Sequence, residues 1–522
     1  MDVLPLVGLV AASAAVAGAA RRTPVPAPLL LVTVGLIASY LPGVPTYTLD
    51  AHIVLPLLLP PLLYTAAVDS SYLDLRANLR SVALLSIGYV LFATVAVGWL
   101  AYRLVPDLPL TAALVLGAVV APPDAVTAAA IARRVGLPGR VTTVLQGESL
   151  VNDATAITAY KVAIAAAVGE GMSWGAGIGE FFLAAVGGVV VGLALMVPLH
   201  WLRTHLREAL LQNTLSLLIP FVAYAAAERV HASGVLAVVV VALYLGHRSW
   251  QVDFATRLQE GAVWKMVAFI LESAVFALIG LQLPFVLKGL GSYAVGDAAR
   301  YAVIVFLAVV VVRFVWVYPA TYLPRWLSRR IREREPDTDW TAPLIVGWAG
   351  MRGVVSLAIA FSIPFTMSDG SPFPARNLVL FLTFTTVIGT LVVQGLSLPL
   401  LVRVLKLPGR DAKAETLAEA RLEELLADRR NQLPGPLADR LRTVLERRRN
   451  AVWERLGAAN PVTGESADDT YRRLAREMID AEREVFVTLR DERRIDDEML
   501  RTLLRRLDLE EAAAYREESD AP

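Results

Sequence analysis

A chain of 522 residues that is 56% hydrophobic, with a mean hydropathy of +0.55 and its apolar residues gathered in long blocks, has the composition of a polytopic membrane protein. The formal net charge of +1 conceals a division: residues 1–407 are apolar with sparse charges, and residues 408–522 are dense in Arg, Glu, Asp and Leu. The absence of cysteine excludes a disulfide framework, a thiolate metal site and a cysteine nucleophile, so the chemistry falls to oxygen and nitrogen groups.

A helix that crosses the hydrocarbon core needs ~20 largely apolar residues. By that measure about thirteen spans are expected, at residues 2–20, 25–43, 51–68, 79–104, 109–133, 139–168, 175–203, 209–229, 233–248, 262–288, 298–325, 341–364 and 375–406. The first carries Asp2 in place of a basic leader and is followed by Arg21 and Arg22, so it reads as a retained helix rather than a cleaved signal. Alternate loops are rich in arginine: Arg21 and Arg22, Arg76 and Arg80, Arg133, Arg134 and Arg140, Arg203 and Arg207, Arg248 and Arg257, and finally Arg325, Arg329, Arg330, Arg332 and Arg334. The intervening loops hold few basic residues. The positive-inside rule places the rich set in the cytoplasm, which puts the N-terminus outside the cell membrane and the tail, residues 408–522, inside.

An ionised side chain at mid-membrane costs ~2.5 to ~3.5 kcal/mol on insertion scales and marks function by default. In chain order these are Asp124, Glu148, Asp153, Glu272, Arg313 and Arg352. Lys161, Glu228 and Lys265 lie nearer span ends, where their stems can snorkel.

The fifth span reads "VLGAVVAPPDAVTAAAIA" and sets Pro122 and Pro123 immediately before Asp124. Proline removes a backbone donor and clashes with the carbonyl four residues back, so this helix is expected to break and free its carbonyls. Backbone of that kind at membrane depth is tolerated only inside protein or along a cavity. The sixth span carries "GESLVNDATAI", in which Glu148, Ser149, Asn152 and Asp153 share one broad helical face through three- and four-residue spacing. Together with Asp124 and carbonyls freed near Pro122, Ser149, Asn152 and Asp153 offer hard oxygen donors for a small dehydrated monovalent cation, or for a proton on one carboxylate.

The twelfth span, "LIVGWAGMRGVVSLAIAFSIP", places glycines around Arg352 and is expected to be interrupted as well. One interrupted segment in each half of the chain is the sequence signature of an inverted-repeat transporter with a midplane site. Three neighbouring acids cannot all stay ionised in low dielectric, so Arg352 is assigned as the partner of Glu148. That leaves Asp153 and Asp124 as the working acids. An intramembrane hydrolase using Ser149 is disfavoured, because the five histidines fall near span ends and no Gly-x-Ser-x-Gly elbow is present.

"PPDAV", "GESLVNDATAI" and "GWAGMRGVVSLAIA" resemble the monovalent cation/proton antiporter superfamily, in the branch holding sodium/hydrogen exchangers and NhaP-type antiporters. The resemblance covers roughly residues 1–407. It implies an all-α, NhaA-like fold of thirteen helices with inverted repeats and two interrupted, crossed helices, assembled as a homodimer among membrane lipids. It also implies that Asp153 binds the cation and the proton beside Asp124, that Ser149 and Asn152 line the site, and that Glu148 and Arg352 form a buried ion pair. Glu272 matches a recurrent membrane acid, with Arg313 its candidate partner. Two departures stand out: the unwound segment reads Pro122-Pro123-Asp124 where many members have Thr-Asp-Pro, so that any cation contact from Pro123 is its carbonyl, and Tyr64 is followed by Thr65 where many have an acid.

The expected activity is exchange of sodium, lithium or potassium for protons, one for one because Asn152 is neutral. A potassium-preferring antiporter is the alternative. No enzyme activity, no cofactor beyond the transported ions and no nucleic-acid partner are expected. In the tail, Leu422, Leu425 and Leu426 mark one amphipathic face and Leu500, Leu503, Leu504 and Leu507 another. A cytoplasmic helical module is expected there, regulatory or in contact with its twin.

Overall fold

The computed structural model describes residues 3–405, apart from 21, 24–26, 43, 45–50, 71, 107, 125–138, 169–173, 207, 253, 292 and 335–339. The helical tail expected over 408–522 lies outside the described residues. The regular elements among them are all helices, apart from one isolated β-bridge between Thr366 and Pro372. Helix is the form that apolar sequence takes in lipid, since it satisfies every backbone group within its own segment.

The helices are α1 (Val3–Ala20), α2 (Ala27–Ala38), α3 (Ala51–Val68), α4 (Tyr72–Ala77), α5 (Leu79–Leu104), α6 (Leu110–Val120), α7 (Gly139–Val168), α8 (Trp174–His205) and α9 (Ala209–Arg229). There follow α10 (Gly234–His247), α11 (Phe254–Leu281), α12 (Leu283–Gly289), α13 (Val295–Leu327), α14 (Arg329–Arg334), α15 (Thr341–Trp348), α16 (Val354–Phe361) and α17 (Arg376–Val404). Among the described residues, six helices are long and apolar enough to cross a membrane and five shorter ones are apolar. Helix α7 runs for 30 residues but is diluted by its polar motif, and α15 and α16 divide one apolar segment between them.

Both expected interruptions are present. The first follows α6, where Ala121 to Asp124 are non-helical, and the second is the non-helical stretch Gly350 to Gly353 between α15 and α16. They touch backbone to backbone, the Asp124 amide donating to the Met351 carbonyl at 2.6 Å. Each break thereby satisfies a group that the other exposes, as buried backbone requires.

One interruption was not legible in the apolar pattern. Within α5, Leu84–Gly88 forms a π-helical turn. The indole nitrogen of Trp316, on α13, donates to the Leu84 carbonyl at 2.9 Å, and a Cβ on Gly88 would collide with that indole ring.

Side chains pack into two main clusters. The larger joins α2, α5, α6, α13 and α17 with parts of α7 and α11, and the second joins α3, α9 and α10 with Leu150 and Ala154 of α7. Helix α7 therefore contributes to both, and its polar face lies along the seam between them. In the first cluster α2 and α11 cross at backbone contact: a Cβ on Gly35 would meet the Ala277 carbonyl, and one on Gly280 would meet that of Val32.

Candidate functional site

The seam holds a cavity of ≈ 60 Å³ lined by Asp124, Ser149, Asp153, Glu272, Gly353 and Ser356, with Pro122 and Pro123 and the apolar wall Leu59, Leu62, Leu63 and Ala66 of α3. A water needs roughly 10 to 15 Å³ on this measure, so the cavity admits an ion with a few waters. Ser149 and Asp153 are four apart on α7 and project into it together, as helical spacing requires. Asp153 is 8% exposed. Glu272 reaches the cavity from α11 and is partly exposed.

Asp124 enters from the first break. Its carboxylate lies against Gly353 so closely that a Cβ at that position would overlap it. Gly353 caps the start of α16 with an extended backbone and supplies no side-chain cap. An acid beside that helix N-terminus complements its orphan amides and dipole, so Asp124 joins the two interrupted segments by both its backbone and its side chain.

Asn152 is fully buried, and its amide nitrogen donates to the Pro123 carbonyl at 2.6 Å. It braces the first break from α7 and is not part of the cavity wall; its side-chain oxygen has no hydrogen-bond partner. The Pro123 carbonyl assigned to the cation thus already accepts one hydrogen bond, with a second lone pair remaining.

The expected pairing of Glu148 with Arg352 is corrected by the structure. Glu148 is held by Arg313 of α13, both guanidinium Nη atoms reaching its two carboxylate oxygens, the Nη2 bond to Oε2 at 2.8 Å. This fork geometry gives the strongest and most directional pairing a carboxylate can make. Arg313 also donates to the Val346 carbonyl at 3.1 Å, so it is not the partner of Glu272.

Arg352 is fully buried and serves the break instead. Its Nε donates to the Val120 carbonyl at 2.9 Å, Nη2 reaches the Ala121 carbonyl at 3.5 Å, and Nη1 reaches Gly350. These are carbonyls that the double proline and the second interruption strand, and a cation at a half-helix C-terminus satisfies them. Arg352 is therefore drawn to the chain ends rather than to an acid already paired.

Tyr89 went unrecognised in the sequence. It is fully buried on α5, its hydroxyl accepts from Nη2 of Arg352, and the Arg313 guanidinium carbon lies 4.7 Å from its ring centroid. A tyrosine inside an apolar span is unremarkable in sequence, and only the fold brings it between two arginines. Ser356, which also lines the cavity, was equally silent. In a second buried ion pair, Arg203 meets Glu260 directly, and the Ser216 hydroxyl donates to the other Glu260 carboxylate oxygen at 2.5 Å. Lys161 and Glu228, assigned to span ends, meet at 3.3 Å with partly exposed side chains.

The family model described as "Sodium/hydrogen exchanger, transmembrane" matches residues 9–404. An uncharacterized Na(+)/H(+) exchanger of Mycobacterium tuberculosis is 35% identical over 97% of this chain and 95% of its own. A protein of Bacillus subtilis named a sodium, potassium, lithium and rubidium/H(+) antiporter is 32% identical over 72% of this chain and 58% of its own. Among solved structures, the sodium proton antiporter MjNhaP1 from Methanocaldococcus jannaschii superposes with a TM-score of 0.62, covering 76% of this chain and 98% of its own at 19% identity. That last likeness is one of fold.

Proposed function

Because this chain belongs to the sodium/hydrogen exchanger family, its residues 9–404 matching that family's model, we propose that it exchanges sodium for protons across the cell membrane by competition of the two for Asp153. The observation that carries this reading is the placement of Asp153 and Asp124 in one cavity at the meeting of two interrupted helices. Ser149 and the Pro123 carbonyl complete the cation's oxygen donors, and Asn152 holds the Pro123 segment in place.

Charge balance gives the competition its force. Glu272, partly exposed on the cavity wall, stands outside this count: Glu148, Asp124 and Asp153 carry three negative charges against two positive ones on Arg313 and Arg352, an excess of one around the break. One proton or one monovalent cation cancels it. A site left charged pays a large desolvation penalty on crossing the membrane interior, so the change of access proceeds only when Asp153 is occupied. One cation then crosses for each proton.

Thirteen spans with inverted repeats, an external N-terminus, a cytoplasmic tail and a homodimer are part of the same proposal. The arginine asymmetry of the loops and the interruption in each half support it. It assigns no enzymatic activity and no resident cofactor. A broader reading, exchange of potassium and lithium as well as sodium, is favoured by the likeness to the Bacillus subtilis sodium, potassium, lithium and rubidium/H(+) antiporter.

The test uses everted vesicles carrying the full chain and a preformed pH gradient. Added sodium should dissipate the gradient, and Asp153→Asn should abolish that response while the protein remains in the membrane at wild-type abundance. No response to sodium, lithium or potassium would contradict antiport. A response retained in Asp153→Asn would contradict the single-carboxylate mechanism.

A further inference from the structure

Ser356 is 1% exposed, its hydroxyl has no hydrogen-bond partner, and it lines the cavity shared by Asp124, Asp153 and Ser149. Several buried hydroxyls of this protein discharge their hydrogen bonds locally: those of Thr94, Thr158 and Thr386 donate to the carbonyl four residues back at 2.7 to 2.8 Å. Of the two buried hydroxyls on Ser or Thr left without a partner among the described residues, Ser356 and Thr383, Ser356 lines the cavity. Ser356 is denied that outlet by its position. It is the third residue of α16, so the carbonyls three and four residues back belong to Gly353 and Arg352, in the interrupted stretch. Gly353 is extended, with φ −133° and ψ −152°, so the helical register that lets a hydroxyl reach the carbonyls three and four residues back does not extend to it.

A buried, unpaired hydroxyl is costly unless a water or ion completes it. The neighbouring groups indicate which of these it is. The Asp124 carboxylate lies against Gly353, three residues before Ser356, and the cavity between them is the one that Asp153 and Ser149 enter from α7. A hydroxyl oxygen facing two carboxylates across a cavity of this size has the donor type of a hard-cation site.

We infer that Ser356 is a further oxygen ligand of the transported cation and sets the preference for smaller ions. It supplies a contact from α16, so that the bound cation ties α7, the first break and the second half-helix together. Ion–dipole attraction grows as the ion approaches the oxygen, so lithium and sodium gain more from this ligand than potassium does. The inference rests on the cation-exchange reading above and adds a selectivity element to it.

The experiment measures cation binding without transport. The purified full-length protein is heated in chloride salts of sodium, lithium or potassium, with choline holding ionic strength constant. The rise in unfolding midpoint with cation concentration gives the half-saturating value. In Ser356→Ala the half-saturating sodium and lithium concentrations should rise about tenfold, the loss expected for one bond to a charged group, with a smaller rise for potassium. Ser356→Thr, which keeps the hydroxyl, should stay within about twofold of wild type on the same grounds. Wild-type values in Ser356→Ala would overturn the inference. So would an equal loss for all three cations accompanied by a lower midpoint in choline, which would mark a packing role. A wild-type midpoint indifferent to every cation would overturn it too. If cation binding depends on Ser356 while vesicles show no exchange, the exchange reading fails and the ligand assignment stands.

Discussion

At the residue scale the two acids of "GESLVNDATAI" have separate tasks. Glu148 is 1% exposed and locked in a fork with Arg313, whereas Asp153 opens onto the cavity. Removing one member of a buried pair leaves the other charge uncompensated, at a cost of about 3 to 5 kcal/mol. Glu148→Gln should therefore lower stability by that amount, measured as loss of folded protein on heating in detergent. Adding Arg313→Leu to it should recover much of the loss, since an apolar replacement of both partners is often neutral. A Glu148→Gln protein of wild-type stability that fails to transport would place Glu148 in the ion path instead.

Helical spacing made the shared face of Ser149 and Asp153 legible in the sequence, but it put Glu148 on that face too, and only the crowding of three acids argued for a separate partner. The arginine that holds Glu148 was not legible. Arg313 and Arg352 are both lone charges in later spans, and no local pattern says which of them is claimed by stranded carbonyls and which is left for an acid. That depends on where α13 and the second interruption lie against α7.

At the scale of elements the two interruptions act as one unit. The Asp124 amide bonds to Met351, the Asp124 carboxylate sits on Gly353, and Arg352 reaches back to Val120 and Ala121. Pro122 and Pro123 made the first break readable, and the run of glycines pointed to the second. Their mutual bracing was not readable, because it is made of backbone groups that every sequence possesses. The π-helical turn of α5 was hidden for the same reason: an apolar span carries no local mark of an inserted indole. Gly353 is the tightest point of the bracing. Gly353→Ala forces the Asp124 carboxylate aside, and overpacking of this kind typically costs about 1 to 3 kcal/mol, so sodium half-saturation of exchange should weaken about tenfold. Gly18→Ala, where a Cβ meets nothing within 4 Å, is the control and should leave exchange unchanged. Equal behaviour of the two variants would remove Gly353 from the account.

At the scale of the whole molecule the site lies where two packing clusters meet along α7 and α11, each of which contributes to both. Leu150 and Ala154 of α7 belong to one cluster, while Val144, Leu145 and Ala156 belong to the other. Under the proposed exchange, a cavity on such a seam changes its access when the clusters shift, and the charge on Asp153 decides when that shift proceeds. One exchangeable carboxylate, Asp153 with the neutral Asn152 before it, predicts that no net charge moves in a cycle. In proteoliposomes, an imposed membrane potential without a pH gradient should drive no sodium uptake; uptake that tracks the potential would mean that more than one proton crosses per cation. Composition alone made the membrane class evident, but not the seam, because residues of both clusters are equally apolar and only packing sorts them.

The central claim is that proton and cation contest one carboxylate, and the dependence of sodium half-saturation on pH tests it most directly. In proteoliposomes with equal pH on both sides, the concentration of sodium giving half-maximal exchange should rise about tenfold for each unit of acidification on the acidic limb, as linkage requires for one competing proton, with the maximal rate unchanged. A half-saturating concentration that stays constant while the maximal rate falls would place the proton on a separate group and contradict the account.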